Sequence, residues 1–493
     1  MRKIIKSQMT FGEVDISKIK FDLRSRDEIP KLLMGLQYIY CTPETRDKVF
    51  KILEEIVPEG TDSDNGRPGM ILWKILVLGT LRLNCNWDYD KVKEIADNHK
   101  TLRQMLGHGD FYGDDYQYPI QTIKDNVSLF TQEILDKINQ VVVKAGHNLV
   151  KKKEEKLKGR CDSFVVETDV HYPTDINLLF DAMRKVIVLI ARLCMEVGIS
   201  EWRQSSHNMR MIKKLYRRAQ KIKHSRSKDE KKREERDELI IEAHRDYTDR
   251  AELLLEKAEG TLRLLLDMKL IEEVSIYDIV NYMSHAERQI DQIRRRVIGG
   301  ERIAHEEKVF SIFEEHTEWI SKGKAGVPQE LGLKVCVIED QYGFILDHMV
   351  MQKTTDDKVA VPMACKAKEK FADLISISFD KGFYSPGNRQ ALENILEQVI
   401  LPRKGRLSKE EKKIEYSEDF IQGKRKHAAV ESGINALENH GLDRCPDHAI
   451  TGFKRYVALA VLGRNLQNLG NILQQKKFKI EKKWEPQKYR QAS

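Results

Sequence analysis

The segments of this chain that favour β-strands lie in three places, and a long helical stretch separates the first from the other two. The first is the run at 164–166, which is rich in aromatic and β-branched side chains. The second is a predicted hairpin of strands at 333–338 and 344–350, joined by a loop that contains a glycine. The third is the apolar run at 374–379. This order predicts an α+β fold with a mixed sheet of β-β-β-α-β-α order, interrupted after its first strand by a helical insertion at about 200–320.

Helical periodicity covers most of the sequence before the first strand. Residues 30–145 show it in short segments. One of these is predicted to begin at Pro43, with Thr42 as its N-cap, and another is predicted at about 89–98. We therefore expect a helical N-terminal domain over 1–150. Short helices with tight connections suit either a helix-turn-helix that binds DNA or a bundle that mediates dimerisation, and the sequence leaves both open.

A larger domain is expected over 160–475, because all three strand regions fall within it. Between 211 and 238 the charges alternate in sign, which predicts a long solvated helix or a helical hairpin. The segment 476–493 is basic and polar and is expected to form a tail without fixed structure. Other helices are predicted from their periodicity at 177–196, 362–372, 389–396, 426–440 and 449–473.

The balance of charge favours a polyanionic partner. The chain has 493 residues, of which 41% are hydrophobic and 33% charged, with a formal net charge of +8. Its basic residues are clustered, and we name Lys213, Lys214, Arg217 and Arg218 as candidates for DNA binding. The alternative for any one basic run is a solvated helix face.

Cysteine usage and apolar runs indicate the compartment. The seven cysteines are dispersed and contain no CxxC pair, which is typical of a reducing cytosol. The apolar stretch from Met70 to Leu83 is interrupted by Lys74 and Arg82, so it is too short and too charged to cross a bilayer. We therefore expect a cytoplasmic protein with no membrane partner.

Three acidic residues stand in separate and recognisable settings. Asp162 precedes the strand-forming run at 164–166, Asp380 ends the apolar run at 374–379, and Glu431 lies in a predicted helix. Hard divalent cations take oxygen ligands, and a pair of such ions needs carboxylates from several elements. The pattern predicts a metal site for phosphoryl transfer. Considered singly, Asp380 could also be a turn residue or helix cap, and the other two could be solvated surface acids.

The sequence around these acids resembles the DDE transposases of bacterial insertion sequences, and the ISNCY-type group in particular. The resemblance extends over nearly the whole chain and depends on the order and separation of its motifs. The segments that carry it are 67–107, Asp162–Glu167, His171–Asp175, Asn177–Leu179, Glu307–Glu314, Lys322–Ala325, Asp380–Phe383, His427–Glu431, Gly441–Arg444 and Asn465–Leu466.

This resemblance implies an RNase H-like catalytic core that binds magnesium, with manganese as the alternative ion. It implies metal-dependent DNA strand cleavage at transposon ends, followed by transfer of the 3′-hydroxyl into target DNA. Asp162 would bridge two ions, with Asp380 holding one and Glu431 the other. The implied partners are double-stranded DNA with terminal inverted repeats, target DNA, and further copies of the chain in a homodimer or higher oligomer on DNA. The expected location is the bacterial cytosol, in association with the nucleoid.

Two features around the acids depart from the family pattern. Related enzymes often carry Tyr, Arg and Lys around the terminal Glu, whereas here His427 lies four residues before Glu431, with Arg425 nearby, and Glu438 stands where the Lys would be. Arg425 and His427 are therefore named as candidates for DNA contact. If the strand register differs, the first acid would be one of two alternatives, Asp169 and Asp175.

Three other functions compete with an active transposase. One is a DNA-binding relative without catalysis, a domesticated or decayed copy. Another is a helical scaffold that assembles through the charged segment 211–250. The third is a nuclease that cuts DNA but never joins the free 3′-hydroxyl to a target.

Overall fold

The structure is a computed structural model that describes residues 3–5, 9, 13–57, 69–109, 114–224, 226–321 and 329–484. The chain divides into two compact units. The first unit comprises residues 1–169 and 320–493, and the second comprises residues 170–319. The segment Lys322–Ala325, which contributes to the family resemblance, lies outside the described residues.

The first unit begins with short helices, as the sequence predicts for 30–145. The predicted start at Pro43 is confirmed, and the helix predicted at Tyr89–Asn98 is matched residue for residue. Side-chain caps mark the beginning of some of these helices. At the first helix, for example, the side chain of Asp27 accepts a hydrogen bond from the amide of Ile29. The helices are α1 (Glu28–Cys41), α2 (Pro43–Glu54), α3 (Leu72–Asn84), α4 (Tyr89–Asn98), α5 (Lys100–Met105), α6 (Ile120–Val127) and α7 (Gln132–Val150).

The strands of the described residues form one mixed sheet of seven strands. The hairpin, the first strand and the strand at 374–379 are all present, so the predicted mixed sheet is confirmed. The helical insertion follows the first strand, but it begins at residue 170 and not at about 200, because the helix predicted at 177–196 belongs to the second unit. The short strands β2, β6 and β7 were not predicted. The strands are β1 (Leu157–Thr168), β2 (Glu318–Ser321), β3 (Gln329–Asp340), β4 (Ile345–Val350), β5 (Leu374–Phe379), β6 (Gln398–Ile400) and β7 (Arg444–Cys445).

The strand order in the centre of the sheet is β4-β3-β1-β5-β6. Strand β3 is antiparallel to both β1 and β4, whereas β1, β5 and β6 run parallel to one another. The short strand β2 lies beside β3, and β7 pairs with the end of β1. Parallel neighbours place their carboxyl ends at the same edge of a sheet, so the ends of β1 and β5 can present side chains to one site.

Helices connect and cover the strands of the first unit. The prediction for α12 was wrong about its start, because the helix begins at Asp356 and contains Pro362 in its interior. Helix α17 continues to Trp484, where the sequence predicted no fixed structure beyond 475; residues 485–493 lie outside the described part of the chain. The helices are α12 (Asp356–Lys370), α13 (Pro386–Ile395), α14 (Lys409–Glu415), α15 (Glu418–His427), α16 (Ala429–Leu437) and α17 (Ala449–Trp484).

One hydrophobic core joins the N-terminal helices to the sheet. Helix α17 contacts α1, α3, α7 and β4, and the side chain of Asn465 accepts a hydrogen bond from the amide of Ile345 at 2.9 Å. The buried His147 of α7 contacts the carboxylate of Asp340 on β3 at 2.6 Å. The boundary predicted near residue 150 therefore falls inside a single packed unit, because apolar faces on both sides of it are buried together.

The described part of the second unit contains four α-helices around a core of its own. Helices α9 and α10 form a helical hairpin, one of the two arrangements predicted from the charge pattern of 211–238. Trp202 is buried in this core, and its indole nitrogen donates to the hydroxyl of Thr261 at 3.0 Å. The helices are α8 (Asp175–Val197), α9 (Ser205–Lys221), α10 (Glu230–Asp267) and α11 (Glu273–Ile293). Across both units, none of the described helices combines the length and the apolar character that a membrane span requires.

Candidate active site

Asp162 and Asp380 lie side by side on neighbouring parallel strands. The register of β1 and β5 pairs Cys161 with Phe379, so the next residues along the two strands are the two predicted acids. Asp162 precedes the strand-forming run at 164–166, but β1 begins earlier, at Leu157, so Asp162 lies in the middle of the strand. Asp380 follows β5 directly and precedes a short helical turn, and its side chain makes no capping hydrogen bond there. Asp380 therefore occupies the N-cap position of this turn, as the alternative interpretation had it, but its side chain does not cap the turn.

The carboxylate of Asp162 is surrounded by other acids. It is largely buried and accepts a hydrogen bond from the amide of Ser163 at 2.7 Å. Burial, together with the negative charges of Asp380, Asp356 and Glu431, raises its pKa to about 6 against the effect of that hydrogen bond. The fold thus brings the three acids that the sequence singled out close enough for their charges to interact.

Glu431 reaches this site through the helical pair α15 and α16. His427, at the end of α15, places its Nδ1 3.0 Å from the hydroxyl of Ser378 on β5. Burial lowers the pKa of His427 and the positive charge of Arg160 adds to this, whereas Asp380 and Glu431 oppose it. The imidazole is therefore neutral at neutral pH, and the same electrostatic contacts tie this helix to both predicted acids.

Asp356 is a fourth acid at the site that the sequence did not reveal. It lies in the first turn of α12, where its carboxylate accepts hydrogen bonds from the Ser163 hydroxyl at 2.7 Å and from Lys334 at 2.9 Å. Gly382 packs against it, since a Cβ at that glycine would lie 3.3 Å from the carboxylate oxygen. The paired acids Asp356-Asp357 after two threonines were the available signal for an early helix start.

Arg160 is the second residue that sequence reasoning missed. It precedes Asp162 by two positions on β1, so the two side chains share a face of the strand. Its guanidinium lies 3.4 Å from the carboxylate of Glu339, and burial raises the pKa of that glutamate to about 7 in spite of the arginine. A fixed positive charge therefore stands at the edge of the acidic cluster.

The remaining predicted residues lie elsewhere or on the surface. Asp169 is exposed beyond the end of β1 and pairs with Arg444 at 3.4 Å, so it does not replace Asp162 as the first acid. Asp175 belongs to the second unit, where it pairs with Arg296 at 2.7 Å and lies in the first turn of its helix, so it does not replace Asp162 either.

The basic candidates divide between the two units. Arg425 is exposed in the last turn of α15, close in sequence to His427. The four basic residues of α9 all belong to the second unit, and one of them, Arg218, is already paired with Glu242 and Asp246 of α10 at 3.1 and 2.5 Å. The other three are Lys213, Lys214 and Arg217, all of them exposed.

The donor set of the cluster fits a hard divalent cation. Carboxylate oxygens are the ligands that magnesium and manganese prefer, and a cation would compensate the repulsion that raises the pKa of Asp162. Asp380 and Glu431 are exposed side chains that can adopt other rotamers. Within the described residues, no three His, Cys, Asp or Glu side chains are already arranged as a ligand group. The chemistry of the donors fits, and their arrangement is not preformed.

Comparisons with known proteins give no match, whether with family models, with curated proteins or with solved structures. Inference about the function therefore depends on the residues and the geometry of this acidic cluster.

Replacement of Asp162 by Asn should stabilise the protein at neutral pH. Since the pKa of Asp162 is raised from 3.8 to about 6, the folded state binds more protons there than the unfolded state between these values. The free energy of unfolding therefore falls as pH rises through this window, and the loss is complete above it. Asn keeps the hydrogen bond without the charge, so Asp162→Asn should raise the free energy of unfolding by roughly 2 kcal/mol at pH 7.5.

Urea unfolding at several pH values with EDTA or magnesium measures this effect. The difference between the variant and the wild type should shrink as pH falls through this window and disappear below about pH 3, where the carboxyl is protonated in both states. Magnesium should stabilise the wild type at pH 7.5 by mass action and the variant much less. Equal stabilisation of both proteins by magnesium would contradict a role for Asp162 in binding the ion.

Proposed function

We propose that this protein is a DDE-type transposase that cleaves DNA at the ends of a mobile element and joins the 3′-hydroxyl to target DNA. The single observation that carries the proposal is that the charges of Asp380 and Glu431 act on the pKa of Asp162, although the three acids are far apart in the sequence. Convergence of this kind is what a site for metal-dependent phosphoryl transfer requires.

The strand order supports an RNase H-like core. Three antiparallel strands, β1, β3 and β4, are followed by two strands that extend the sheet in parallel on the other side of β1. Helices α12 and α13 make the crossovers to β5 and β6, and the second unit is inserted between β1 and β3. This is the order of strands and helices that the family resemblance implies.

Each residue of the cluster has a distinct part in the proposed chemistry. Asp162, Asp380 and Glu431 would hold the divalent ion, which acts as a Lewis acid on a phosphodiester and its leaving oxygen. Asp356 supplies further negative charge and is itself kept in place by Ser163 and Lys334. His427, neutral and hydrogen-bonded to Ser378, orients the helix that carries Glu431.

The proposal is tested with DNA that flanks the coding sequence on both sides. Purified protein is incubated with a plasmid carrying both flanks, in the presence of magnesium or of EDTA, and the products are mapped at both strands. Magnesium-dependent cuts at defined ends and joining of the freed 3′-hydroxyl to a second DNA are expected. Cutting without joining would point to a nuclease. Binding of these DNAs without any metal-dependent product would favour a non-catalytic DNA-binding relative.

A further inference from the structure

A cleft of about 630 Å³ opens on the face of the sheet that carries the acids. Arg160 and Ser378 line it, and each precedes an acid of the cluster by two positions in the sequence. Alternate residues of a strand share a face and are separated by about 6.6 Å, so the cleft runs along β1 and β5 directly away from Asp162 and Asp380.

Helix α15 lies over this cleft at close range. Gly423 permits the approach, because a Cβ at that position would lie 2.7 Å from Cγ1 of Ile400 on β6. The neighbouring residue Gln422 and, one turn later, Lys426 line the cleft from the same helix. The space is therefore bounded by a sheet on one side and by a helix on the other, and its volume falls in the range of pockets that bind a small ligand.

The charges of the lining suit a phosphate. Lys158 and Lys426 are exposed at the cleft, and Arg160 is only 14% exposed. The Arg160 guanidinium donates to the carbonyl of Asp340, yet its Nε is buried with no hydrogen-bond partner in the described part of the chain. The guanidinium also faces the carboxylate of Glu339 at 3.4 Å, and it lines the cleft, where it can donate to an anionic oxygen of a ligand. Two acids, Glu155 and Asp419, also line the cleft.

Amide and hydroxyl groups complete the lining. Ser376 donates from its hydroxyl to the side-chain oxygen of Gln398 at 3.3 Å, which leaves the amide nitrogen of that glutamine as a donor towards the cleft. The amide of Gln422 is exposed on the opposite wall. Side-chain amides are groups that hydrogen-bond the polar edges of bases.

We propose that this cleft binds one unpaired nucleotide of a DNA strand, with its phosphate held by Arg160 and Lys426 and its base against Gln398 and Gln422. The inference rests on the proposed function, because the nucleotide concerned is a neighbour of the phosphodiester that the acids attack. Extrusion of a base costs a few kcal/mol, and the contacts in the cleft offset it.

The test compares two fluorescein-labelled DNA duplexes by anisotropy in EDTA, one blunt and one with an unpaired three-nucleotide extension. The wild type should bind the extended duplex about tenfold more tightly. The double variant Gln422→Ala/Lys426→Ala should lose this preference while still binding the blunt duplex. Lys424→Ala is the matched control, since Lys424 is exposed on the same helix but does not line the cleft, and it should keep the preference.

Two further arms identify what the cleft recognises. An extension without bases should lose most of the preference if the base is bound. A deoxynucleoside monophosphate that displaces the extended duplex at micromolar concentration would assign the cleft to free nucleotides and overturn the assignment to a DNA strand. Equal binding of blunt and extended DNA by the wild type, or a preference that survives in the double variant, would also overturn it. This binding experiment requires no cleavage. A protein that prefers the extended duplex but cuts no DNA would therefore support the nucleotide cleft and contradict the proposed function.

Discussion

Asp380→Asn should lower metal-dependent DNA cleavage by roughly 10³-fold or more while leaving DNA binding in EDTA nearly unchanged. The side chain is exposed, makes no capping hydrogen bond and lies next to Asp162 in the register of β1 and β5. Its replacement therefore removes a charge from the site without removing a structural contact. Cleavage is followed on end-labelled DNA and binding by anisotropy on the same DNA.

Asp169→Asn is the matched control for this loss. Asp169 is an exposed acid of the same chain segment as Asp162, but it lies beyond the end of β1 and pairs with Arg444. Its variant should cleave at the rate of the wild type. Because residues that act as a unit lose activity together, the double variant Asp162→Asn/Asp380→Asn should be no slower than either single variant. Cleavage by Asp380→Asn near the wild-type rate would refute the proposed catalytic site.

The same substitution has an electrostatic consequence that needs no DNA substrate. The negative charge of Asp380 is one of the causes that raise the pKa of Asp162, so its removal should lower that pKa towards its ordinary value. Carboxyl carbon NMR titration of the wild type and of Asp380→Asn measures the change. An unaltered titration of Asp162 would mean that the two carboxylates are too far apart to share a cation.

The parts of the fold that were predicted correctly are those in which the local pattern decides the structure. Strand β5 and helix α4 match their predicted bounds, because an apolar run closed by Asp380 and an amphipathic segment capped by Asp88 define them locally. The strands β6 and β7 were not predicted. Segments of three and two residues form strands only because they pair with neighbouring strands in the sheet.

The site, too, was predicted only where a local pattern marks its residues. Asp162, Asp380 and Glu431 stand out against their local patterns, whereas Asp356 was hidden because Pro362 suggested a later start for α12. Arg160 was missed because charged residues of low strand propensity precede Asp162. Those residues are nevertheless part of β1. Lys158 and Arg160 line the cleft on one face of the strand, and Leu157 and Cys161 are buried on the other. Tertiary pairing, which no local pattern encodes, extends the strand.

Gly470→Ala should lower the free energy of unfolding of the first unit by about 3 kcal/mol or more, since overpacking against rigid backbone is strongly destabilising. Helices α1 and α17 cross through reciprocal glycines: a Cβ at Gly470 would overlap the carbonyl oxygen of Lys31, and one at Gly35 would overlap that of Leu466. No rotamer change relieves overlap with backbone, so the two helices would have to separate. Urea unfolding in EDTA measures the loss.

Gly452→Ala, on the same helix α17, is the matched control for this prediction. The nearest atom to a Cβ at that position is 3.5 Å away, which is an ordinary contact, so the variant should be as stable as the wild type or slightly more stable. Because α17 contacts α1, α3, α7 and β4, loosening its crossing with α1 should expose the core that joins the N-terminal helices to the sheet. Hydrogen exchange of Gly470→Ala should therefore increase in α1 and in β4 together. An increase confined to α1 would mean that the N-terminal helices are stable independently of the sheet.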